Sequence, residues 1–421
     1  MPSDCLWHES TPPPPTGGGQ IPERADVAVV GGGYTGLAAA RALARAGVSV
    51  AVLEKESLGA GASTRNGGFV LPGFQLDMAV LVQRLGLDRS RALYQDSLAS
   101  IDFLKALIGA ECIDCDFDQG GHITVAESPR QYRALAASSH LLNTSFGAAT
   151  TLLGERETRH AVGSPRYCGG LLDPLGARVH PARLLSGLGH AAAIAGATLV
   201  TDTIATRFRR RGSRTVVESS RGRIEVDQLI LATNGYSGPF HPGLRRRIVP
   251  IGSHIVATAP LSNSLAAEIL PGGRVVSDSR NLLHYFRISP DRRLVFGGRA
   301  SFMRASPARL RAILQRDMTD IFPQLSNSPI EFAWSGNVGF TRDHMPHAGR
   351  VDGILCAGGY CGHGVAMATY LGDRLGQHVA SGVPLPAVAA LDFPLIPLYN
   401  GHPWFLPLAG GWYRFRDWLS Q

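Results

Sequence analysis

Cysteine is scarce in this sequence. Six cysteines are spread over 421 residues, which is too few for a disulfide-based scaffold in a chain of this length. Cys112 and Cys115 form a C-x-x-C pair, but Cys356 and Cys361 do not supply the second such pair that a structural zinc site needs. We therefore expect structural thiols and no metal centre.

Lysine is scarcer still, because Lys55 and Lys105 are the only two in the sequence. The formal net charge of +8 is therefore carried almost entirely by arginine. The arginines occur in short bursts, at residues 209–214 and 245–247, beside predicted turns. A nucleic-acid interface would require clustering with interleaved aromatic residues. We expect solvated hairpin tips, with at most a mild attraction for an anionic substrate, and no nucleic-acid partner.

Long apolar runs are lacking as well. No run reaches the ~18 apolar residues that a membrane-spanning helix requires. Residues 1–24 lack the charged-then-apolar order of a signal peptide, and they are interrupted by residues 12–15, all proline, and residues 17–19, all glycine. This segment predicts an extended N-terminal arm, and the sequence as a whole predicts a cytoplasmic protein.

The remaining composition is that of a well-buried globular chain. Hydrophobic residues make up 44% and charged residues 18% of the sequence. The length predicts two or three domains. Glycine is frequent, with 50 residues, and many of these are expected at tight turns or beside a bound ligand.

The first ordered unit predicted is a strand, a helix and a second strand. Residues 27–30 form a short apolar run typical of a buried strand. Residues 37–46 are rich in alanine and predict a helix that ends at Gly47. Residues 48–53 predict the second strand, which is followed directly by Glu54.

This unit contains a dinucleotide-binding fingerprint, Gly31-x-Gly33-x-x-Gly36. Gly31 permits the tight turn, and Gly33 leaves room for a pyrophosphate at the helix N-terminus. Gly36 allows close packing of helix on strand, and Glu54 has the spacing of an acid that binds a ribose hydroxyl. The fingerprint predicts a dinucleotide but does not distinguish FAD from NAD.

Two further glycine-rich segments favour FAD. Residues 59–68 offer small side chains and exposed backbone amides just after the ribose acid. Residues 357–364 join a predicted buried strand to a predicted helix, which provides a second helix N-terminus. Such an N-terminus would stabilise the negative charge of a reduced flavin ring.

Elsewhere the sequence predicts both helices and antiparallel strands. Leucine spacing predicts two helices over residues 78–108, and residues 207–226 predict a β-hairpin. Several antiparallel strands are predicted over residues 248–298, and a final strand and helix over residues 353–380. The order indicates a nucleotide-binding domain that the chain leaves twice and re-enters twice.

Four segments together resemble one known group of enzymes. They are Val29-Val30-Gly31-Gly32-Gly33-Tyr34-Thr35-Gly36-Leu37, Gly61-Ala62-Ser63-Thr64-Arg65-Asn66-Gly67-Gly68, Ala232-Thr233-Asn234-Gly235-Tyr236, and Gly358-Gly359-Tyr360-Cys361-Gly362-His363-Gly364. The chain resembles the D-amino-acid-oxidase-like superfamily of FAD enzymes, and is most similar to gamma-glutamylputrescine oxidases and their glycine and sarcosine oxidase relatives. The resemblance extends from about residue 25 to residue 382.

The resemblance implies an α/β fold, with a Rossmann-like FAD-binding domain of the GR2 type and an inserted α+β substrate domain built on an antiparallel sheet. The expected boundaries are an extended arm at 1–24, an FAD-binding domain at 25–80, 150–240 and 331–385, a substrate domain at 81–149 and 241–330, and a tail at 386–421. We expect the tail to pack on the body of the protein.

The implied activity is oxidation of an amine or amino acid to an imine by hydride transfer to flavin N5, after which water hydrolyses the imine. The candidate catalytic residues are His363, Tyr285 and Arg287. Tyr285 and Arg287 share one face of a predicted strand, so Arg287 is a candidate for binding a substrate carboxylate. The candidate cofactor-binding residues are Gly31, Gly33, Tyr34, Thr35, Gly36, Glu54, Lys55, Ala62, Ser63, Arg65, Asn66, Gly67, Gly68, Thr233, Asn234, Gly235, Gly336, Gly359, Tyr360, Gly362, His363 and Gly364.

Two departures from the family pattern shape these expectations. Gly336 stands where some relatives carry the cysteine that tethers flavin, so FAD is predicted to bind non-covalently. Residues 294–296 lack the lysine with which those oxidases activate oxygen. The electron acceptor therefore stays open: it is molecular oxygen if the protein is an oxidase, or another acceptor if it is a dehydrogenase.

Other functions stay open at this point. One is a flavoenzyme that oxidises a 2-hydroxy acid or another alcohol on the same fold. A second is a flavin-binding partner subunit with little turnover. A third, weaker alternative is dependence on NAD.

Overall fold

The structure of the protein is a computed structural model, which describes residues 4–12, 14–15, 19–280, 282–298 and 306–419, with side chains described as far as residue 412. The helices are α1 (Leu6–Glu9), α2 (Tyr34–Arg45), α3 (Met78–Leu85), α4 (Leu87–Ala110), α5 (Pro129–Phe146), α6 (Glu155–Ala161), α7 (Pro181–Ile194), α8 (Pro242–Arg245), α9 (Asn263–Ile269), α10 (Pro307–Ile321), α11 (Gly364–Ser381) and α12 (Leu406–Leu419). The strands are β1 (Arg24–Val30), β2 (Val50–Leu53), β3 (Phe69–Val70), β4 (His122–Ala126), β5 (Thr151–Leu153), β6 (Gly169–Asp173), β7 (Ala177–Arg178), β8 (Thr198–Val200), β9 (Ala205–Arg211), β10 (Arg214–Ser219), β11 (Gly222–Leu231), β12 (Val249–Thr258), β13 (Val275–Asp278), β14 (His284–Ile288), β15 (Leu294–Gly298), β16 (Ile330–Phe340), β17 (His347–Val351) and β18 (Ile354–Gly358).

The first sheet has the strand order β17-β18-β11-β1-β2-β8, and β9 and β10 extend it as a hairpin beside β11. Its central strands run parallel, with Val27 opposite Val50 between β1 and β2. Parallel strands need crossover connections, and α2 provides the one from β1 to β2. The carboxyl ends of β1, β2 and β11 therefore meet at one edge of the sheet.

The second sheet has the order β16-β12-β15-β14-β13-β4-β6-β5. Its pairs are antiparallel except β13 with β4. One face packs on an apolar core that includes Phe286, Phe296 and Phe322. The alternate residues of the same strands, such as Tyr285 on β14, point to the other face, as the two-residue repeat of a strand requires.

The helices α2, α4, α7 and α11 cover the first sheet with a continuous apolar core. Helix α11 lies directly on α2, because glycines on α11 allow close approach. A Cβ added at Gly372 would lie 2.2 Å from the carbonyl oxygen of Thr35, and one at Gly376 would lie 2.7 Å from that of Ala39. This contact fixes the N-terminal turns of both helices relative to each other.

The predicted α/β fold with an antiparallel substrate sheet is confirmed, as are the strand-helix-strand unit, the break between α3 and α4 at Gly86, and the hairpin of β9 and β10 with β11. The structure moves three segments across the predicted boundaries. Strands β5 and β6, expected in the FAD-binding domain, pair with β4 in the second sheet. Strand β16 pairs with β12 in that sheet as well. Helix α4 packs on the first core, because its leucines face α11.

The prediction of an extended N-terminal arm is wrong for residues 6–9. They form the helical turn α1, whose Leu6 and Trp7 are buried together with Cys5. The physical reason is that these side chains pack in one apolar cluster with Ala182 and Trp334. The proline and glycine runs of the sequence give no sign of these distant contacts.

The C-terminal tail packs on the body in its first part, as expected. Val388 is buried, and the hydroxyl of Tyr399 donates to the carbonyl of Ile248 at 3.2 Å. Phe393 stacks on the ring of His347, with ring centroids 4.2 Å apart. Across the described part of the chain, none of the helices has the length and apolar character needed to cross a membrane.

The packing of α11 on α2 leads to a stability prediction. Gly372→Ala should lower the free energy of unfolding of the apoprotein by about 1–3 kcal/mol, because the new methyl group would overlap the carbonyl of Thr35. The matched control is Gly109→Ala in α4, where an added Cβ meets nothing within 4 Å. That change should leave stability unaltered or raise it by up to about 1 kcal/mol. Urea titration followed by circular dichroism would measure both, and equal stabilities for the two variants would contradict the predicted contact.

Candidate active site

A cavity of about 1030 Å³ lies between the carboxyl ends of the first sheet and the outward face of the second. The predicted site residues that line it are Gly31, Gly33, Tyr34, Thr35, Glu54, Lys55, Ala62, Ser63, Arg65, Asn66, Gly67, Thr233, Asn234, Gly336, Tyr360, Gly362, His363, Gly364 and Tyr285. Segments that are distant in the sequence thus meet around one cavity.

Five predicted residues do not line the cavity: Gly36, Gly68, Gly235, Gly359 and Arg287. The four glycines act through close packing behind the wall. A Cβ at Gly36 would lie 1.8 Å from the carbonyl oxygen of Gly31, and one at Gly359 would lie 2.2 Å from Thr341. Gly36 therefore has the packing role that the fingerprint assigns to its third glycine.

Arg287 requires a correction. It shares the face of Tyr285, as predicted, but its side chain is 2% exposed and lies away from the cavity. Its guanidinium carbon sits 4.9 Å from the ring centroid of Trp7, because α1 covers that end of β14. Burial, and then the charge of Arg178, lowers the pKa of Arg287 to about 9. In this position Arg287 does not reach a substrate carboxylate in the cavity.

The N-terminus of α2 opens onto the cavity. Gly31 has a φ of +111°, and an added Cβ there would lie 2.7 Å from the carbonyl oxygen of Ala232. Gly33 is the N-cap residue of α2 and has no side chain with which to cap it. A Cβ at Gly33 would lie 2.8 Å from the hydroxyl of Ser63. This is a glycine-walled helix N-terminus of the kind that binds a pyrophosphate.

Glu54 lies at the end of β2, beside that turn. Its carboxylate accepts hydrogen bonds from the backbone N–H of Gly32 at 2.6 Å and of Glu56 at 3.0 Å. These bonds hold an acceptor group at the edge of the cavity, where the fingerprint places a ribose.

Residues 62–68 form the next wall. Ser63 accepts a hydrogen bond from the N–H of Tyr34 at 3.1 Å, so this loop is joined to α2. Asn66 donates to the carbonyls of Ala62 at 3.0 Å and Ser63 at 2.9 Å, and its side-chain oxygen accepts from Gly68 N–H at 2.7 Å. Asn66 therefore shapes the loop that lines the site.

The C-terminal turn before α11 closes the cavity. The side-chain oxygen of Asn234, at the end of β11, accepts from the N–H of Gly359 at 2.9 Å. The hydroxyls of Thr35 and Tyr360 are 2.6 Å apart, which links this turn to α2. His363 is the N-cap residue of α11 and lines the cavity, and its side chain makes no capping bond among the described residues. A second helix N-terminus therefore faces the same space as the first.

The second sheet forms the roof, and Tyr285 is its most prominent side chain. Its hydroxyl lies 3.0 Å from the hydroxyl of Ser253, and its ring packs edge-on against Phe69, with centroids 5.5 Å apart. A Cβ at Gly297 would lie 2.2 Å from the Tyr285 ring, and one at Gly67 would lie 2.9 Å away. Glycine at these two positions lets the ring lie flat between the roof and the loop.

The roof also includes His122, which sequence reasoning missed. His122 lies on β4 and lines the cavity, and its Nε2 is 2.8 Å from the hydroxyl of Ser277 on the neighbouring strand. Burial, and then the nearby His363, lowers the pKa of His122 to about 3. This histidine is therefore neutral at ordinary pH. A lone histidine in a short strand gave no sequence signal.

Charged residues of the roof were also missed: Asp173 at the end of β6, Asp278 at the end of β13 and Arg280 just after it all line the cavity. Arg280 Nε donates to Glu127 at 3.0 Å, so its charge is already paired. Burial raises the pKa of the Asp173 carboxyl, which accepts from Leu175 N–H at 3.0 Å. Within the described residues, no cluster of side chains could hold a metal ion.

The cavity residues fit FAD. A glycine-walled helix N-terminus for a pyrophosphate, a carboxylate beside it, and a second helix N-terminus opposite an aromatic roof together suit the two halves of that cofactor. The cavity-lining residues that would hold its nucleotide part are Gly31, Gly33, Tyr34, Thr35, Glu54, Ala62, Ser63 and Arg65, and residues 336 and 360–364 would border its ring. Such a sheet and site define a flavin-dependent oxidoreductase.

Comparison with known proteins identifies the family. Residues 26–378 match the DAO model, described as FAD dependent oxidoreductase. The chain belongs to this family of FAD-dependent oxidoreductases, as the sequence resemblance predicted. It is 34% identical to a probable oxidoreductase OrdL of Rhizobium meliloti (strain 1021), over 98% of this chain and 97% of the relative.

Two other proteins illustrate the relationship. Gamma-glutamylputrescine oxidoreductase of Escherichia coli (strain K12) is 33% identical over 94% of this chain and 93% of its own length. The crystal structure of glycine oxidase from Geobacillus kaustophilus superposes with a TM-score of 0.75 at 21% identity, over 90% of this chain and 99% of that one. The latter likeness confirms the fold.

The position of Glu54 leads to a binding prediction. Glu54→Gln should raise the dissociation constant of FAD by about ten- to hundredfold, since hydrogen bonds to a charged group contribute about 1.5–3 kcal/mol. Titration of the apoprotein with FAD, followed by flavin fluorescence, would measure it. The control is Glu218→Gln, a change at a partly buried residue on β10 that does not line the cavity and whose carboxylate pairs with Arg209 at 3.3 Å. An unchanged dissociation constant in the Glu54 variant would rule out its role at the ribose.

Proposed function

We propose that this protein oxidises the C–N bond of an amine or amino acid to an imine, using non-covalently bound FAD, and that water then hydrolyses the imine. When bound, FAD supplies the acceptor for the hydride that leaves the carbon next to nitrogen. The protein's own residues bind and orient the substrate beneath the roof and exclude water.

The observation that carries this proposal is an uncharged part of the roof, as distinct from the part that carries Asp173, Asp278 and Arg280. Tyr285, Ser253, Ser277 and His122 present hydroxyl and imidazole groups to the cavity, and the low pKa of His122 makes it a very weak base. Oxidation of an alcohol requires a base near the operating pH to take the hydroxyl proton. An amine that has lost its extra proton already has a free electron pair and needs no such base. This uncharged part of the roof therefore favours an amine over a 2-hydroxy acid.

The relatives support the same chemistry. The proteins named gamma-glutamylputrescine oxidoreductase and glycine oxidase bear the names of amine and amino-acid enzymes. In this chain Tyr285 would orient the substrate through its ring, because its hydroxyl is already close to Ser253. His122 would accept a hydrogen bond from the substrate nitrogen, and His363 would border the reacting carbon from the opposite side.

Non-covalent binding of FAD is supported by Gly336. This residue lines the cavity, and an added Cβ would lie 3.1 Å from the Cβ of Arg65. Glycine has no side chain, so no thioether bond to flavin can form at this position. Cys361 also lines the cavity and is buried. Its thiol donates to the carbonyl oxygen of Gly359 at 3.1 Å and lies 3.5 Å from the hydroxyl of Thr341. We propose that it remains a thiol.

The test of the proposed function is a set of anaerobic mixtures of the FAD-loaded protein with primary amines, secondary amines, amino acids and 2-hydroxy acids. We expect at least one amine or amino acid to reduce the flavin and so abolish the absorbance of oxidised flavin at about 450 nm. Hydroxy acids should leave it unchanged. Bleaching by hydroxy acids alone would refute amine oxidation, and the absence of any bleaching would support a subunit with little turnover. Admission of air then identifies the acceptor, since rapid return of the colour with peroxide indicates oxygen.

The uncharged part of the roof also predicts a pH dependence. The substrate binds productively as the free amine, so kcat/KM should rise about tenfold per pH unit below the pKa of the substrate's own ammonium group. Two accepted amines with different ammonium pKa values should give rising limbs displaced by that difference. His122→Gln should leave the rising limb of kcat/KM at the same pH. The pKa of His122 is lowered to about 3, so this histidine does not titrate in the pH range of that limb. A limb near pH 6.5 that is shared by both amines would instead reveal a catalytic histidine.

A further inference from the structure

Three successive backbone carbonyls in the loop of residues 62–68 are held by side chains from outside the FAD fingerprint. The indole N–H of Trp7 donates to the carbonyl of residue 66 at 2.9 Å. The indole N–H of Trp334 donates to that of residue 65 at 3.1 Å. The thiol of Cys5 lies 3.7 Å from that of residue 64. Two of these three donors belong to the N-terminal turn α1 and its N-cap.

The imidazole of His8 adds a fourth contact from α1. Its Nε2 lies 2.9 Å from the hydroxyl of Thr64. That hydroxyl in turn donates to the carbonyl of Gly59 at 2.7 Å, further along the same wall of the cavity. The contacts of α1 therefore extend over both ends of the wall segment that follows Glu54.

Trp7 is held firmly enough to serve as a fixed point. Its side chain is 1% exposed, and its ring packs edge-on against His180 and Trp334 at centroid distances of 5.0 and 6.0 Å. The guanidinium of Arg287 lies over the ring at 4.9 Å. A buried cation gains from such a ring face, so Arg287 and Trp7 stabilise each other.

The bond to Asn66 transmits this fixed position to the site. The same residue whose carbonyl is held by Trp7 uses its side chain to bond the carbonyls of Ala62 and Ser63. Ser63 is joined to the N-terminus of α2 through the N–H of Tyr34. A displacement of Asn66 would therefore displace the hydroxyl and amides that border the space expected for the nucleotide.

We propose that α1 acts as a clamp on the FAD site, and that Trp7 is a positioning residue which fixes the loop of residues 62–68 for FAD binding. Trp7 does not line the cavity, so it acts through Asn66 and not by contact with the cofactor. This role goes beyond amine oxidation, because it concerns assembly of the cofactor site whatever the substrate is.

The test uses the full-length protein and Trp7→Phe, which keeps an aromatic ring and removes the N–H donor. The carbonyl of Asn66 would then be buried without that donor, so we expect the dissociation constant of FAD to rise by about tenfold. The matched control is Trp404→Phe. Its indole N–H also donates to a backbone carbonyl, that of Leu398 at 3.2 Å, but the residue is half-exposed in the tail. It should bind FAD like the wild type.

A second readout reports on the loop itself. Trypsin cleaves after arginine, and Arg65 lies within the clamped loop, so apoprotein carrying Trp7→Phe should be cut after Arg65 faster than wild type or the control. Thermal unfolding of the apoproteins, measured in parallel, separates positioning from general stability, because FAD affinity is determined well below the unfolding temperature.

A milder variant keeps the test decisive if Trp7→Phe does not fold. His8→Ala removes the hydrogen bond of the imidazole to Thr64, and it should raise the FAD dissociation constant by about threefold or more, as expected for one ordinary hydrogen bond. The proposal is overturned if the folded variants bind FAD within twofold of wild type, or if unfolding temperatures fall while FAD affinity and cleavage after Arg65 stay the same. It is equally overturned if Trp404→Phe weakens FAD binding as much as Trp7→Phe.

Discussion

The structure depends on one electrostatic constraint, the N-terminus of α2. Its first-turn residues Tyr34 and Thr35 line the cavity, and Gly33, the N-cap residue, has no side chain with which to cap the helix. An uncapped helix N-terminus carries partial positive charge and favours an anion such as a pyrophosphate. The glycines that keep this end open also allow α2 to pack against β1, so one sequence motif sets both the ligand and the packing.

The second helix N-terminus, at α11, gives the site its polarity. Both helix ends face the same space, and the Thr35–Tyr360 bond and the glycine contacts of α11 fix their separation. Opposite them lies the uncharged part of the roof, formed by Tyr285, Ser253, Ser277 and His122, in which burial depresses the pKa of His122. Partial positive charge on one side and weakly basic groups on the other suit a reaction in which electrons move toward the helix ends and no strong base is needed.

The sequence predicted what local pattern determines. The fingerprint, the strand-helix-strand unit and the hairpin all follow from glycine placement and apolar periodicity, and the family resemblance added the antiparallel roof. Prediction from the sequence failed where a residue's position depends on contacts with residues far away along the chain. Arg287 has the correct strand face, yet Trp7, 280 residues earlier in the chain, covers it. His122 faces the cavity because of how β4 pairs with β13, and pairing between strands so far apart leaves no periodic signal.

We propose that the glycine-walled turn of α2, Glu54 and the turn before α11 together form a binding site for one FAD. The most direct measurement is the flavin content of the purified protein after incubation with FAD and gel filtration, followed by acid precipitation. We expect one FAD per chain, released into the supernatant as intact dinucleotide if it is held without a covalent bond, as proposed. Protein that emerges colourless and takes up no added FAD would contradict it.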